Sequence, residues 1–174
     1  PEIKSYLKQA IKELARIQIV AGRKMDFLIC YPYSRFDASS VLYDLEYFRN
    51  HFLDRQSFSY DKLKLAKDFQ YLTDFIGQAD NRYFMYRDFQ SRNILIYNEK
   101  LYFIDYQGGR QGPLQYDLAS LLFQARARLP QELREELLEY YLQFARMLTP
   151  LHTDEFRNFY YAITLVRVLQ TLGA

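Results

Sequence analysis

Three oxygen-bearing side chains in the middle of the chain have the types and spacing to do chemistry together. Asn93 lies five positions after Asp88, and Asp105 lies seventeen positions beyond Asp88. Asp88 and Asn93 belong to the polar run Arg87-Asp88-Phe89-Gln90-Ser91-Arg92-Asn93. Asp105 opens a second polar segment, Asp105-Tyr106-Gln107-Gly108-Gly109-Arg110-Gln111-Gly112-Pro113, whose glycines and proline argue against regular structure. Between the two loops, Ile94 to Tyr97 and Leu101 to Ile104 are β-prone runs separated by Asn98-Glu99-Lys100, a hairpin pattern. The two ends of an antiparallel hairpin are neighbours, so the loops are expected to share a site. One carboxylate there can orient a hydroxyl while an Asn and an Asp hold a hard cation such as Mg²⁺ through oxygen, which is the minimum needed to move a phosphoryl group. The base must point at the acceptor and stay off the metal.

The elements that would position these loops are mostly helical. Ile3, Leu7, Ala10, Ile11, Leu14 and Ile17 recur at three- and four-residue steps, which predicts an amphipathic helix over 3–20 with Gly22 as its stop. Residues 22–38, with Pro32, read as an irregular connection. Ser39 or Ser40 is the expected cap of a second helix carrying Val41, Leu42, Leu45, Phe48 and Phe52, and Asp61 that of a third carrying Leu65, Phe69, Leu72 and Ile76. Tyr83 to Tyr86 reads as a short aromatic strand. Helices are expected again near 114–127, at 130–148 after Pro130, and at 153–171 after a Thr153 cap with Asp154 and Glu155 in its first turn.

Composition bounds the function classes. At 174 residues the chain reads as a single domain over 1–174, with 49% hydrophobic and 25% charged residues, which excludes disordered, collagen-like and disulfide-scaffold classes. A net charge of +2 is too balanced to drive binding to nucleic acid or to an anionic membrane. The lone Cys30, the lack of a membrane-spanning apolar run and the lack of a signal-peptide pattern lead to an expected cytoplasmic location. The 17 Tyr and 14 Phe fall mostly at helical spacing beside Leu and Ile, so core packing is expected rather than a binding platform. The start at Pro1 and the end at Ala174 directly after a helical pattern look like a piece of a longer protein.

Tyr86-Arg87-Asp88-Phe89-Gln90-Ser91-Arg92-Asn93 resembles the kinase catalytic-loop pattern H-R-D-x-x-x-x-N, and Ile104-Asp105-Tyr106-Gln107 stands where the metal-binding D-F-G comes next. The segment Gly112-Pro113-Leu114-Gln115-Tyr116-Asp117-Leu118-Ala119-Ser120-Leu121 is similar to its counterpart in the aminoglycoside phosphotransferase family. Within that family the stretch 87–121 looks most like bacterial N-acetylmuramate and N-acetylglucosamine kinases. The resemblance implies an α+β, mainly helical fold, the C-terminal lobe of a kinase-like protein with a small β-hairpin. It further implies ATP and Mg²⁺ as cofactors, a small hydroxylated acceptor as partner, Asp88 as base, Asn93 and Asp105 as metal and cofactor ligands, and Arg87 and Asp117 as supports of the loop. Tyr86 stands in place of the usual His, and Tyr106-Gln107 in place of Phe-Gly.

A nucleotide cradle is missing from the pattern. No G-x-G-x-x-G and no Val-Ala-Ile-Lys setting occurs, so the N-terminal lobe of the same protein is expected outside this chain, and the fragment alone is expected to be inactive. Two other readings are a kinase-like binding module without catalysis and an aminoglycoside-modifying kinase. Asp44, Glu46 and Arg49 are candidate acceptor-facing groups by resemblance, with a solvated polar helix face as the plainer expectation. Cys30 is expected to be buried, His51 and His152 lack the neighbours of a zinc site, and Arg126, Arg128, Arg134 and Arg146 read as helix-surface partners of nearby acids.

Overall fold

The apolar stripe beginning near Ile3 folds as α1 (Glu2–Ala15), which buries Ala10, Ile11, Leu14 and Ala15. The computed structural model describes residues 2–174. The helix does not simply stop at Gly22: it widens into a π-helical turn at Arg16–Ala21 and closes with a 3₁₀ turn at Gly22–Lys24. This irregular stretch seats the wholly buried Gln18 inside the protein. Gly22 is required by close approach, because a Cβ there would lie 2.9 Å from both the backbone nitrogen and the Cβ of Phe84. Gly22→Ala is therefore expected to destabilise the protein by about 1–3 kcal/mol, the usual range for overpacking, and urea denaturation measures it.

Helix α2 (Ala38–His51) is capped by Asp37 and not by either serine. Its Oδ1 accepts from the backbone nitrogen of Ser40 at 3.1 Å and from Ser39 Oγ at 2.6 Å. Helix α3 (Lys62–Ile76) has the expected Asp61 cap, which accepts from the amides of Leu63 and Lys64. Helices α4 (Gln115–Leu122), α5 (Gln131–Arg146) and α6 (Thr153–Leu172) complete the set. The cap of α6 is His152, without a side-chain bond, and Thr153 is already helical.

Four short strands form two antiparallel pairs. Strand β1 (Tyr83–Met85) pairs with β4 (Arg110–Gly112), and β2 (Ile94–Tyr97) with β3 (Lys100–Phe103). The hairpin turn is only Asn98-Glu99, both at positive φ (47° and 59°), as a two-residue turn matched to strand twist requires. Lys100 belongs to the strand. The glycine-rich segment after Asp105, irregular by its composition, nonetheless supplies β4. Backbone pairing needs no large side chains, and a Cβ at Gly112 would meet Met85 Sδ at 2.8 Å, so glycine is what lets the two strands lie together. Gln111 also exchanges backbone hydrogen bonds with Ser34 and Phe36, tying the connection before α2 to the same small sheet.

Helix α4 ends at Leu122, five residues earlier than the periodicity extends. Gln124 turns its side chain back, donating to the Leu121 carbonyl and accepting from Ser91, and Arg128 adopts φ 44°. Arg126, Arg128, Arg134 and Arg146 form no ion pair among the described residues, against the expectation; Arg134 instead lies 4.5 Å from the Phe123 ring centroid.

Helices α2, α3 and α4 pack on α6, and α1 packs on α5. Phe89, Tyr116, Tyr141 and Tyr160 are among the largest fully buried side chains, so the aromatic excess does serve the core, although Tyr31, Tyr33, Tyr71, Tyr97 and Tyr106 remain exposed. Cys30 ends a 3₁₀ turn in the connection and is half-buried, not buried as expected. No helix among the described residues is long and apolar enough to cross a membrane.

Candidate active site

Strand β1 delivers the chain to Tyr86, where Asp117, in the first turn of α4, anchors the start of the polar loop. Asp117 is wholly buried. Its Oδ2 accepts from the Tyr86 amide at 2.7 Å and from Gln18 Nε2 at 2.8 Å, while Oδ1 accepts from the Arg87 amide at 2.9 Å. Gln18 is itself held, accepting from the Tyr141 hydroxyl at 2.7 Å and donating to the Leu114 carbonyl at 3.2 Å. Burial pushes the Asp117 carboxyl up to about 6 against the pull of these donors, so it is ionised at neutral pH and its hydrogen bonds are charge-assisted. The anchored amides hold Arg87 at φ 79°, a left-handed conformation costly for a residue with a side chain.

The side chain of Arg87 runs into the protein. Its guanidinium forks onto Asp44 at 3.1 and 3.3 Å and lies 5.0 Å from the Tyr116 ring centroid. Asp44 is only 2% exposed, so it is neither a solvated group nor free for an acceptor, and Glu46 pairs with Arg49. Asp44→Ala strands the Arg87 charge and is expected to cost about 3 kcal/mol, the low end for a broken buried pair because a fifth of the Arg87 side chain stays exposed. Denaturation of Asp44→Ala, Arg87→Met and the double variant checks it: the double variant is expected to be more stable than the sum of the two losses.

The Asp88 backbone is clamped while its carboxylate is left free. The Asp88 carbonyl accepts from the Gln90 amide at 2.9 Å and from Asn93 Nδ2 at 2.8 Å, but its side chain has no hydrogen bond among the described residues. Asn93 Nδ2 also donates to Asp105 Oδ2 at 3.3 Å, and the Ile104 amide donates to the Asn93 carbonyl at 3.1 Å. The two loops therefore meet, as the hairpin geometry requires. Asp105 sits at φ 72°, a second left-handed residue, and its Oδ1 accepts from Gln107 Nε2 at 2.7 Å. Tyr86, standing where histidine is usual, donates its hydroxyl to the Ile104 carbonyl at 2.8 Å and so ties the first loop to the second. Burial, reinforced by the charges of Asp105 and Asp117, pushes that hydroxyl up to about 12, which keeps it a neutral donor.

Asn93 and Asp105 fit a magnesium ion that brings its own phosphate ligands. The Asn93 amide oxygen takes no hydrogen bond among the described residues, and the Asp105 oxygens each accept only a neutral amide. No group of three His, Cys, Asp or Glu side chains is gathered for a metal among the described residues. One amide oxygen and one carboxylate do not make a protein cage. They suit a cation whose other ligands are phosphate oxygens and water.

Sequence reasoning does not find three contributors. Gln18 leaves a signal, a polar residue within the apolar stripe of the first helix. The pairing of Asp44 with Arg87 joins residues 43 positions apart and has no local signature. Tyr86 registers in the sequence only as a departure from histidine, without its hydrogen bond.

Residues 1–153 match the model of the phosphotransferase enzyme family. Comparison with curated proteins finds no match. The mainly helical body with its small hairpin accords with that family's kinase-like C-terminal lobe.

Proposed function

The chain belongs to the phosphotransferase enzyme family, and from that premise we propose that it carries the catalytic half of an ATP- and Mg²⁺-dependent kinase of a small hydroxylated molecule, an amino sugar in the closest reading. The observation that carries this is the division of labour at the two loops: Asn93 and Asp105 are joined by a hydrogen bond, while the neighbouring Asp88 carboxylate is left without a partner among the described residues. Asp88 orients the acceptor hydroxyl and takes its proton as the oxygen attacks the transferred phosphoryl group. Asn93 and Asp105 hold Mg²⁺, which when bound offsets the charge on the phosphate oxygens. Asp117 and Arg87 do not touch the reacting atoms; they position the loop by fixing its amides and its left-handed turn.

In this reading the lobe that cradles the nucleotide belongs to the same protein outside these residues, so function is assayed on the full-length protein. The test is a screen for phosphoryl transfer from ATP to amino sugars and to aminoglycosides, with the product identified by ³¹P NMR. Transfer to an amino-sugar hydroxyl supports the proposal. Transfer confined to aminoglycosides overturns the acceptor class, and transfer to neither, with ATP unchanged over long incubation, counts against the proposed acceptors altogether.

A further inference from the structure

A cavity of about 500 Å³ lies where the connection before α2, the first turns of that helix and β4 meet the Arg87 side chain. Three guanidiniums line it, from Arg35, Arg87 and Arg110, with two carboxylates, Asp37 and Asp44. Both carboxylates are already engaged. Asp44 takes the fork of Arg87. Asp37 caps α2, and hydrogen bonds from the Ser39 hydroxyl first, then from Ser40, hold its carboxyl below the ordinary range. Its charge is met by these donors and by the positive end of the helix. Arg35 and Arg110 are left over: among the described residues no carboxylate lies within ion-pair distance of either.

Arg110 gives this imbalance its meaning. It is 8% exposed, yet its only hydrogen bond among the described residues is from Nε to the Gly108 carbonyl at 3.1 Å. Its guanidinium lies 5.4 Å from the Tyr33 ring centroid, and neither Nη1 nor Nη2 is sealed in the interior. Burial, and then the neighbouring Arg87 charge, pull Arg110 below its ordinary pKa, as expected of a cation short of negative charge. Backbone pairing holds Arg110 beside Arg35: Arg110 stands opposite Met85 in the β1–β4 pair, and Arg35 bridges to the next residue, Gln111. The two guanidiniums are therefore mounted on one small sheet.

A carboxylate would bring a single charge and two oxygens. A terminal phosphate brings about −1.5 to −2 at neutral pH and three strong acceptor oxygens, a better match for two unpaired guanidiniums flanked by the hydroxyls of Tyr33, Ser34 and Tyr43. We infer that this cavity binds a phosphate group, free or at the end of a small organic phosphate, through Arg35 and Arg110. None of Asp88, Asn93 and Asp105 lines the cavity, so the ligand is held apart from the proposed reacting groups. Arg87, the residue before Asp88, forms the wall between the two.

The test is calorimetry on the full-length protein without nucleotide or Mg²⁺, at a pH where phosphate is mostly dianionic, with inorganic phosphate, phenyl phosphate and acetate as probes. Phosphate is expected to bind at least about tenfold tighter than acetate, and to lose at least about tenfold in Arg35→Ala, a change to an exposed side chain, and in Arg110→Met, which keeps an unbranched stem without the charge. Arg126→Ala, in a separate arginine-lined cavity between α4 and α6, is expected to leave phosphate affinity unchanged. Phenyl phosphate binding tighter than inorganic phosphate supports the site with an organic phosphate as its ligand; phenyl phosphate excluded while inorganic phosphate binds supports it with free phosphate. No phosphate binding by the wild type, affinity unchanged in Arg35→Ala, or affinity lost in Arg126→Ala overturns the site, and acetate binding as tightly as phosphate overturns the ligand class. Turnover is not read, so the outcome is independent of the phosphoryl-transfer reading.

Discussion

Asp88→Ala in the full-length protein is expected to lower the turnover of phosphoryl transfer by about 10²–10⁴, the range for removal of a positioned general base, while the melting curve stays close to that of the wild type. The two expectations have separate structural origins. The Asp88 carbonyl, not its side chain, receives the hydrogen bonds from Gln90 and Asn93 that shape the loop. Truncating a half-exposed carboxylate that no donor touches should change stability by no more than about 0.5 kcal/mol. Steady-state kinetics with circular dichroism melts of the same preparation checks both. Wild-type turnover in Asp88→Ala removes that residue from the mechanism, whereas loss of fold would give its side chain a structural task in place of a catalytic one.

Asp117→Ala is expected to produce the opposite pattern, a large loss of stability. The substitution leaves the buried amide of Tyr86, the partly buried amide of Arg87 and one of the two side-chain N–H groups of Gln18 without their acceptor. At about 1–3 kcal/mol for each unsatisfied buried group, the loss should exceed about 3 kcal/mol, which is a large fraction of the stability of an ordinary domain. Asp117 also has a pH signature. Because burial raises its carboxyl from the ordinary 3.8 to about 6, the folded protein keeps this proton to higher pH than the unfolded chain does. Its contribution to stability is therefore fully present below about pH 4 and declines as pH rises through about 6. Urea titrations across this window should show that decline in the wild type and lack it in Asp117→Ala. A variant that unfolds at the wild-type urea concentration, with the same pH dependence, would contradict the anchoring role.

The elements legible in the sequence are those with local causes. The stripe of Ile11 and Leu14 marks α1, the Asp61 side chain marks the start of α3, and the turn after Tyr97 marks the hairpin. Misread features have distant causes. Strand β4 exists because Tyr83–Met85 offers a partner some 27 residues away, which no property of Arg110–Gly112 announces. Helix α4 stops at Leu122, where Gln124 is drawn toward Ser91 in the polar loop after Asp88. The same division applies to the site. The meeting of the two candidate loops can be read from the sequence because hairpin geometry converts the spacing of Asn93 and Asp105 into proximity, whereas the partner of Arg87 lies on α2 and becomes visible only once the chain has folded. Of the residues at positive φ, Arg87 and Asp105 occur at the mouths of these two loops where the sequence places no glycine. Strain accepted at such positions accords with a site shaped for binding rather than for local backbone preference.

The most direct measurement is a crystal structure of the full-length protein with Mg²⁺ and a non-hydrolysable ATP analogue. The expected result is a cation bound by the Asn93 amide oxygen and the Asp105 carboxylate at about 2.0–2.1 Å together with phosphate oxygens, and an Asp88 carboxylate off the metal and facing the open side of the terminal phosphate. A cation held by other residues, or an Asp88 buried away from the nucleotide, would contradict the proposed division of roles among these three side chains.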